Sequence, residues 1–386
     1  MTLTITSSKK LLATDDKDVT FAVNDLDINL VGDLRDNVIF GNDGYNKIDG
    51  GLGDDTIDGG DGDNVIDGGI GNDSLVASGG NDSISGGDGN DFIDAGYGDN
   101  FVKSGAGLDT ITAGSYHDFI DAGDDNDFVT AWSGNNTVLG GKGDDTISAN
   151  SGHDKIDGGD GNDTIDAGSG RNNIFGGKGD DVIFTDYQND KIDGGEGNDT
   201  IDGGDGRNNV LGGKGNDSII SGIGNDKIDG GDDNDFINSG DGLNVVFGGK
   251  GDDKIIGGIH TDKLDGGAGL DVLIGGLEND TLTGGADSDT FVLSLVSGVD
   301  TVTDFKTTID KLVFTDSLTP VVLDASHFVS AILSTFVFSD SSPAFGYNTK
   351  TGALFYDADG SGVSDQVQVA LIGSHAALIS SDIFVS

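Results

Sequence analysis

The sequence repeats with a period of nine residues. A hydrophobic residue returns at every ninth position from Ile39 to Phe291, 29 times, without an insertion or deletion. The best-formed units read G-G-x-G-(N/D)-D-x-(I/L/V)-x, as in GGDGNDTID at residues 158–166. One such unit cannot bury a hydrophobic face alone, so this repetition predicts a stack of short elements that bury a continuous core between them. Position 1 is taken as Gly158, which makes Asp163 position 6 and Ile165 position 8.

Each nonapeptide is predicted to contain one short strand and one turn. Positions 7 to 9 form a minimal strand, because the central hydrophobe then points inward and its two neighbours point outward. Positions 1 to 6 form a turn, where glycine permits positive φ and lets carbonyl groups converge. Two nonapeptides make one coil, so the same side of the structure recurs every 18 residues.

The composition restricts the partners of the chain. The formal net charge is −49, and all but two of the 69 acidic residues are aspartate. Aspartate suits turns and metal-binding loops, whereas a charge of this sign repels the phosphates of nucleic acids. There is no cysteine, no apolar run long enough for a membrane span and no N-terminal secretory signal. We therefore expect a chain that binds cations.

Adjacent acidic residues in the turns indicate the kind of cation. In GGKGDDVIF, residues 176–184, Asp181 occupies position 6 and is expected to lie about one rung from the aspartates 18 residues away. Unpaired carboxylates at that distance repel each other. A hard divalent cation between the carboxylates turns their net interaction from repulsion into attraction, and loop carbonyls complete the oxygen shell of the cation.

These nonapeptides resemble the repeats-in-toxin (RTX) family over residues 37–292. The resemblance implies an all-β fold, a parallel β-roll (a right-handed β-solenoid), with many Ca²⁺ ions as cofactors. It also implies ligands from the position-6 aspartate and from the carbonyls near positions 2 and 4. In the unit that begins at Gly176 these are Gly177, Gly179 and Asp181.

The turns fall on two sides, which we call the first side and the second side. The first side has aspartate at every position 6 after Asn37 and carries the main predicted metal ligands, which are Asp55, Asp73, Asp91, Asp109, Asp127, Asp145, Asp163, Asp181, Asp199, Asp217, Asp235, Asp253, Asp271 and Asp289. The predicted carbonyl ligands of this side belong to Gly51, Gly53, Gly69, Gly71, Gly87, Gly89, Gly141, Gly143, Gly159, Gly161, Gly177, Gly179, Gly195, Gly197, Gly213, Gly215, Gly249 and Gly251.

The second side alternates between aspartate and asparagine at position 6. Its asparagines are Asn64, Asn100, Asn136, Asn172, Asn208 and Asn244, and its weaker predicted metal ligands are Asp82, Asp118, Asp154, Asp190, Asp226, Asp262 and Asp280. We expect a weaker, partly vacant calcium column here. The alternative is that asparagine serves freely as a neutral oxygen ligand.

The resulting 36-residue super-repeat also orders the outward residues. On the first side, position 3 alternates in charge through Lys142, Asp160, Lys178, Glu196, Lys214, Asp232 and Lys250. Such alternation prevents like charges from stacking, although recent duplication explains the same pattern. Leu139, Phe175, Leu211 and Phe247 form an outward apolar row, either a contact surface for a partner or another copy, a surface for the terminal segments, or tolerated exposure.

The termini depart from the repeat. Residues 1–36 are predicted to cap the roll, and residues 293–386 to form a β-rich cap with an export signal. Residues 298–314 resemble the segment that follows the β-roll in serralysin-type proteins, and the final SSDIFVS resembles an uncleaved type I secretion signal. Residues 345–362 and 366–373 predict a β-hairpin. DADGSG, residues 357–362, starts like an EF-hand loop, but Gln368 occupies the bidentate position, which favours a hairpin turn.

No catalytic constellation is recognisable. No HExxH motif accompanies the five histidines, so the resemblance does not extend to a protease zinc site. His117, His153 and His260 lie in second-side turns and are interpreted as surface polar residues. Tyr97, Tyr116, Trp132 and Tyr187 share that side, where a shallow carbohydrate site is the alternative. We expect a protein that is not an enzyme.

The predicted function is calcium binding outside the cell, coupled to folding, in a protein exported by the type I secretion machinery without a cleaved N-terminal signal. The alternatives are a structural or adhesive surface protein, with self-association, and a polysaccharide-binding module. Ice binding is disfavoured because the outward rows mix threonine with Phe, Asp and Lys.

Overall fold

A computed structural model describes residues 10–12, 19–20, 27–315, 328–331, 344–357, 366–373 and 377–385. The chain divides into two compact units, residues 1–196 and 197–386. Most of the predicted N-terminal cap, the glycine-rich part of the DADGSG segment (358–362) and the last residue of the predicted export signal lie outside the described residues.

The first unit is a parallel β-solenoid with two ladders of strands, the first sheet and the second sheet. Strands are numbered in chain order. The first sheet contains β1 (Lys10–Leu12), β3 (Ile28–Val31), β5 (Asn46–Leu52), β7 (Val65–Ile70), β9 (Ser83–Asp88), β11 (Phe101–Ala106), β13 (Phe119–Asp124), β15 (Thr137–Lys142), β17 (Lys155–Asp160), β19 (Asn173–Lys178) and β21 (Lys191–Glu196). The second contains β2 (Val19–Thr20), β4 (Val38–Phe40), β6 (Thr56–Asp58), β8 (Ser74–Val76), β10 (Phe92–Asp94), β12 (Thr110–Thr112), β14 (Phe128–Thr130), β16 (Thr146–Ser148), β18 (Thr164–Asp166) and β20 (Val182–Phe184).

The second unit has the same two ladders and an additional group of C-terminal strands. Its first sheet contains β23 (Asn209–Lys214), β25 (Lys227–Asp232), β27 (Val245–Lys250), β29 (Lys263–Ala268), β31 (Thr281–Ala286), β33 (Asp300–Val302), β35 (Phe328–Ala331), β36 (Ala344–Asn348), β37 (Ala353–Asp357) and β38 (Val367–Ile372). Its second sheet contains β22 (Thr200–Asp202), β24 (Ser218–Ile220), β26 (Phe236–Asn238), β28 (Lys254–Gly258), β30 (Val272–Gly276), β32 (Thr290–Ser294), β34 (Lys311–Thr315) and β39 (Ile383–Val385), and a 3₁₀ turn covers Ser380–Asp382.

The hydrophobic marker of each nonapeptide lies in the core. Ile165 pairs with Ile147 on one neighbouring strand and Ile183 on the other, each 18 residues away. These side chains are fully or almost fully buried, as are the markers elsewhere in both units. The strict spacing therefore stacks identical positions on each other, and the predicted all-β parallel β-roll is confirmed.

The two sheets differ in strand length, which the sequence did not predict. Second-sheet strands of the first unit contain at most three residues, as expected for positions 7 to 9. Most first-sheet strands contain six, because positions 1 to 3 of the following first-side turn stay in the ladder: Gly159 pairs with Gly177, and Asp160 with Lys178. The prediction of a six-residue turn is wrong on this side, since glycines without side chains allow the extended backbone of successive turns to approach and pair.

The roll continues beyond the uninterrupted nine-residue repeat. Residues 295–303 and 305–313 each form a further turn and strand, with Val302 paired to Leu282 and Leu312 paired to Phe291. Their spacings from the preceding coil are 20 and 21 residues rather than 18. The extra residues are accommodated before position 6 of each turn, so the strands that follow keep the core register.

The C-terminal segment adds strands of both directions. β36 pairs antiparallel with β37, and β37 antiparallel with β38, in agreement with the predicted hairpin. β38 then joins the roll by pairing parallel with β33. The predicted export tail includes β39, which pairs parallel with β34 as a last rung of the second sheet.

At the N-terminal end, β1 pairs with β3 and β2 pairs with β4, so the roll-like pairing begins before Asn37. Among the described residues, no helix has the length and apolar character needed to cross a membrane.

Candidate metal centre

First-side turns connect the first sheet to the second sheet, and position 6 lies directly before each second-sheet strand. Asp163 shows the arrangement: its Oδ1 accepts the backbone N–H of Asp145 at 2.8 Å, while the N–H of Asp163 is donated to Oδ1 of Asp181 at 2.8 Å. The same bond recurs along the column in both units, for example from Asp235 to Asp253. One carboxylate oxygen of each aspartate is thus fixed by the neighbouring coil.

The other oxygen is buried without a hydrogen bond. Asp163 is 1 % exposed, and its Oδ2 accepts no hydrogen bond. Oδ2 is in the same state in Asp55, Asp73, Asp91, Asp109, Asp127, Asp145, Asp217, Asp235, Asp253, Asp271 and Asp289 on the first side, and in Asp82, Asp118, Asp154, Asp226, Asp262 and Asp280 on the second. A buried, unbonded carboxylate oxygen is costly, so each one indicates a place where a positive partner is stabilising.

Burial and mutual repulsion raise the pKa values of these carboxyl groups. Burial raises the pKa of Asp127 to about 8, the N–H bond from Asp109 opposes it, and the charges of Asp109 and Asp145 add to the increase. The pKa of Asp235 is likewise raised to about 8, with contributions from Asp217 and Asp253. The ionised column is therefore unfavourable by itself and favourable with an added cation.

Position 1 on the first side leaves space in front of Oδ2. A Cβ on Gly158 would lie 2.3 Å from Oδ2 of Asp163 and 2.6 Å from the carbonyl oxygen of Gly176 in the next coil. The same pair of oxygens faces the equivalent glycine in most first-side turns, for example Gly248, where Asp253 Oδ2 and Gly266 O lie at 2.3 and 2.5 Å. A carboxylate and a carbonyl therefore converge beside a residue that has no side chain.

The predicted carbonyl ligands lie in strained backbone that only glycine adopts easily. Every glycine predicted as a carbonyl ligand has positive φ, for instance 119° at Gly177 and 119° at Gly179. A Cβ at these two residues would lie 2.1 Å from the carbonyl oxygens of Gly159 and Gly161 respectively. The carbonyls at positions 2 and 4 thus point toward the next coil, as a shell shared between coils requires.

Position 5 forms a second ladder of opposite direction, which explains the adjacent acidic residues. The backbone N–H of Asp180 is donated to Oδ1 of Asn162 at 2.7 Å, whereas Asp181 accepts the N–H of Asp163. A position-5 side chain therefore accepts an N–H from the following coil, whereas a position-6 side chain accepts an N–H from the preceding coil. On the second side, Nδ1 of His117 and His153 accepts the same kind of N–H bond, from Asn135 and Arg171, which agrees with their interpretation as surface polar residues.

Between residues 77 and 167 the second side differs from most of the first side at position 1. Alanine occupies this position in six consecutive second-side turns, at Ala77, Ala95, Ala113, Ala131, Ala149 and Ala167. A methyl group then occupies the space that glycine leaves open on the first side. This supports the predicted inequality of the two sides, whose calcium occupancies stay predictions.

The donor set matches a hard divalent cation. Among the described residues, no three His, Cys, Asp or Glu side chains form a metal-binding group, so side chains alone do not make a centre. Carboxylate Oδ2 atoms together with backbone carbonyls provide the all-oxygen surroundings that Ca²⁺ takes at 2.3–2.6 Å. The assignment of individual ligands stays a prediction.

Every aspartate predicted as a ligand, on either side, is at most 3 % exposed. Sequence reasoning missed Asp300 and Asp310, which extend both columns: the N–H groups of Asp280 and Asp289 are donated to their Oδ1 atoms at 3.0 and 3.1 Å. Their spacings of 20 and 21 residues hid them from a nine-residue register. It also overlooked Asn46, a buried position-6 residue that precedes Asn64.

The outward rows follow the predicted super-repeat. The ammonium groups of Lys142, Lys178 and Lys250 lie 2.7, 2.5 and 2.6 Å from the carboxylates of the preceding coil, which belong to Asp124, Asp160 and Asp232. Opposite charges therefore stack as predicted. The apolar row of Leu139, Phe175, Leu211 and Phe247 is half-buried rather than exposed, and the ammonium of Lys191 lies 5.2 Å from the ring centroid of Phe175.

A shallow groove of about 520 Å³ lies on the second side of the first unit. Tyr97, Trp132, Ser115 and Asp94 are among its lining residues, and both aromatic side chains are more than half exposed. Tyr116, in the intervening coil, and Trp132 have φ of 95° and 55°. These two residues occupy positions 4 and 2 of their turns, where the glycines of other turns also have positive φ, although this backbone is unfavourable for bulky residues.

Comparison with protein families agrees with this geometry. The family model for the RTX calcium-binding nonapeptide repeat matches residues 31–66, 67–102, 103–138, 139–174, 166–201, 202–237, 238–273 and 265–294. No curated protein matches the chain. The matched stretch, residues 31–294, covers well over half of the sequence, and the chain therefore belongs to the RTX calcium-binding nonapeptide-repeat family, with calcium bound at multiple sites.

Proposed function

We propose that the protein is an exported calcium-binding β-roll whose folding is completed by extracellular Ca²⁺. The observation that carries this proposal is the column of buried, unbonded Oδ2 atoms on the first side. In most of these turns Oδ2 is held toward a carbonyl oxygen of the next coil, as at Asp163 and Gly176. Calcium would supply the positive charge and the oxygen coordination that these groups lack.

Binding energy of this kind is sufficient to control folding. A site whose free ligand is about ten times its Kd contributes roughly 1.4 kcal/mol. Around a dozen such sites reach more than about 10 kcal/mol, which is comparable with the stability of a whole domain. Without the ion, stacked carboxylates and the entropy of the glycine-rich turns oppose folding.

Repeats of this family are typical of exported proteins, and their β-rolls are typically structural. We assign export to the type I route, with a signal in the C-terminal segment, and we assign residues 1–36 and 293–386 as caps of the roll. Metal binding is assigned to the position-6 aspartates and to the glycine carbonyls at positions 2 and 4. We propose no catalytic role for the chain.

Circular dichroism of the full chain with calcium and with excess chelator tests the proposal. We expect the β signal to disappear on chelation and to return when calcium is restored, with magnesium as the control ion. The proposal fails if the β signal is unchanged by chelation and equilibrium dialysis finds no bound calcium.

A second function, binding of a neutral glycan, is favoured by the aromatic groove. Tyr97 and Trp132 offer exposed side chains in coils two rungs apart, and Ser115 of the intervening coil also lines the groove. Exposed rings can stack on the C–H faces of sugars, and the charge of the chain disfavours acidic polymers.

Trp132 is the only tryptophan of the chain, so its fluorescence reports on the groove directly. We expect soluble neutral β-glucan oligosaccharides to shift this fluorescence in the calcium-loaded protein. Y97A should abolish the shift, whereas Y187A, which removes an exposed aromatic residue outside the groove, should not. An equal response in wild type and Y97A would contradict the assignment.

A further inference from the structure

The asparagines of the second side use their amide nitrogens in a way that the aspartates cannot. Nδ2 of Asn64 is donated to the carbonyl oxygen of Gly62 at 2.8 Å and to that of Gly60 at 3.2 Å. Gly60 and Gly62 occupy positions 2 and 4, whose carbonyls are the predicted calcium ligands on the first side. The amide therefore binds the group of oxygens that a cation would bind.

Each second-side asparagine in position 6 donates its amide to at least one backbone carbonyl of its own turn or of the next coil. Its carbonyl acceptors lie at positions 1, 2 or 4 of the turns. The donor–acceptor pairs are Asn46 with Asn42, Gly44 and Gly59 (2.9, 2.6 and 3.0 Å), Asn100 with Ala113 (3.2 Å), Asn136 with Ala131 (3.2 Å), Asn172 with Ala167 and Gly168 (3.4 and 3.3 Å), Asn208 with Gly203 and Gly204 (2.8 and 3.2 Å), and Asn244 with Gly240 (3.5 Å).

In Asn64, Asn100, Asn136, Asn172 and Asn244, the orientation of the amide is fixed by Oδ1, which accepts a backbone N–H of the preceding coil. Oδ1 of Asn100 accepts the backbone N–H of Asp82 at 3.0 Å, and Oδ1 of Asn172 accepts that of Asp154 at 3.0 Å. An amide oxygen in that position places the NH₂ group toward the loop carbonyls, since asparagine has one acceptor atom and one donor atom at its end.

Aspartate has the same shape as asparagine, but it carries a hydrogen-bond acceptor where asparagine carries a donor. In Asp82, Oδ1 accepts the N–H of Asn64 at 2.7 Å, and the buried Oδ2 accepts no hydrogen bond. Where asparagine presents a donor to the carbonyls, aspartate presents a second acceptor. Two oxygen atoms facing each other require a cation between them, whereas an N–H facing an oxygen does not.

We propose that asparagine at position 6 replaces calcium on the second side: a site shared by two successive coils is lost when either coil carries asparagine, because the amide closes the turn through hydrogen bonds. This rests on the proposed function, since it assigns which turns of the same roll bind metal. Where Oδ1 accepts the backbone N–H of the preceding coil, the NH₂ group faces the loop carbonyls, and a nitrogen that carries two hydrogens does not ligate a cation there.

The replacement also removes the repulsion that makes calcium necessary. On the first side Asp145 donates its N–H to Oδ1 of Asp163, so that carboxylates follow each other in successive coils, whereas Asp154 lies between Asn136 and Asn172. Asparagine between successive aspartates separates their charges by two rungs. The second side thus needs less metal for the same stacking.

The alternation ends near residue 262, and calcium binding on the second side is expected there. Asp262, Asp280 and Asp300 follow each other without an asparagine between them, and the N–H groups of Asp262 and Asp280 are donated to Oδ1 of Asp280 and Asp300 at 2.8 and 3.0 Å. Oδ2 of Asp262 and the carbonyl oxygen of Gly275 lie 2.7 and 2.5 Å from the place of a Cβ on Gly257. This arrangement is the one found on the first side, and Asp300 lies outside the matched repeats.

Three isosteric variants of the full chain test the proposal, because each changes only an amide into a carboxylate or the reverse. N64D creates a consecutive pair of carboxylates with Asp82. D82N removes a second-side carboxylate that lies between Asn64 and Asn100, and D91N removes a first-side carboxylate that lies between Asp73 and Asp109. Bound calcium is counted by equilibrium dialysis with elemental analysis, and the calcium midpoint of folding is measured by circular dichroism.

We expect N64D to bind at least one more ion per chain than wild type, D82N to bind as many as wild type, and D91N to bind fewer. D82N should lower the calcium midpoint, and D91N should raise it. The proposal is overturned if N64D adds no ion, or if D82N loses as many ions as D91N. Absence of bound calcium in wild type would instead overturn the proposed function itself.

Discussion

Oδ2 of Asp163 and the carbonyl oxygen of Gly176 approach the same point beside Gly158, at 2.3 and 2.6 Å from the place of a Cβ there. Both atoms are hydrogen-bond acceptors, so their approach is stabilised only by a positive group. The glycine keeps the space open, and the aspartate is held in place by the N–H of Asp145. The site is thus prepared by the fold of two neighbouring coils rather than by one loop.

Adding a methyl group at this glycine should destroy the site. G158A places the new Cβ 2.3 Å from Oδ2 of Asp163, so we expect loss of calcium from this turn and a higher calcium midpoint for folding. G203A is the matched control at position 1 of the second side, where the nearest atoms lie 3.6 Å away. Calcium counting and circular dichroism on both variants check the prediction, which fails if G158A and G203A behave alike.

The acidic column makes the stability of the metal-free chain dependent on pH. Burial raises the pKa of Asp127 and Asp235 from 3.8 to about 8. A folded-state pKa above the unfolded value contributes stability that is fully present below the unfolded pKa and is lost as the pH rises through the folded pKa. We therefore expect metal-free protein to gain β structure as the pH falls from 8 to 5.

With calcium present the trend should reverse, because protons and calcium compete for the same carboxylates. Circular dichroism of calcium-depleted and calcium-loaded protein across this range distinguishes the two trends. The variant D127N provides the control, since it cannot titrate at this position and should weaken the pH response of the depleted chain. A depleted chain that loses β structure on acidification would contradict the prediction.

The sequence predicts this fold to the extent that its period is strict. From Ile39 to Phe291 the nine-residue spacing determines which side chains enter the core and which aspartates stack. It does not reveal the turns that contain Asp300 and Asp310, because inserted residues change the spacing while the backbone pairing persists. Nor does it show that first-sheet strands include the glycines of positions 1 and 2, since residues without side chains have no hydrophobic pattern.

The role of the second-side asparagines was also beyond the sequence. Asn64 could be an oxygen ligand or a hydrogen-bond donor, and the composition of the repeat allows both. Only the position of the backbone N–H of Asn46, which is donated to Oδ1 of Asn64 at 3.0 Å, decides which end of the amide faces the carbonyls. Such a choice depends on the register between coils and therefore on the folded structure.

Truncation of a core side chain should lower the stability of the fold even when calcium is saturating. Ile165 is fully buried between Ile147 and Ile183, and replacement of isoleucine by alanine in a core costs about 2–5 kcal/mol. We expect I165A to lower the thermal midpoint in calcium strongly, and T164A, at the exposed neighbouring position, to change it little. Thermal melts followed by circular dichroism measure both, and equal midpoints for the two variants would argue against a continuous aliphatic core.

The first-side column ends on a lysine, and this residue should stabilise the chain most when calcium is absent. The ammonium of Lys306 donates a hydrogen bond to the carbonyl oxygen of Gly285, which is position 2 of the last uninterrupted nonapeptide, and its charge opposes the increase in the pKa of Asp289. The backbone N–H of Lys306 is donated to Oδ2 of Asp310 at 2.7 Å, which holds the residue in this turn.

A hydrogen bond from a charged group contributes about 1.5–3 kcal/mol, so K306M should destabilise the C-terminal end of the roll by an amount of this order. Hydrogen exchange of residues 281–294 at low calcium measures the effect locally, and K306R, which keeps the charge, is the control. We expect faster exchange in K306M than in K306R, and a smaller difference at high calcium, because a bound ion can then supply the missing charge. Equal exchange in the two variants at low calcium would show that the lysine does not substitute for a cation at this end of the column.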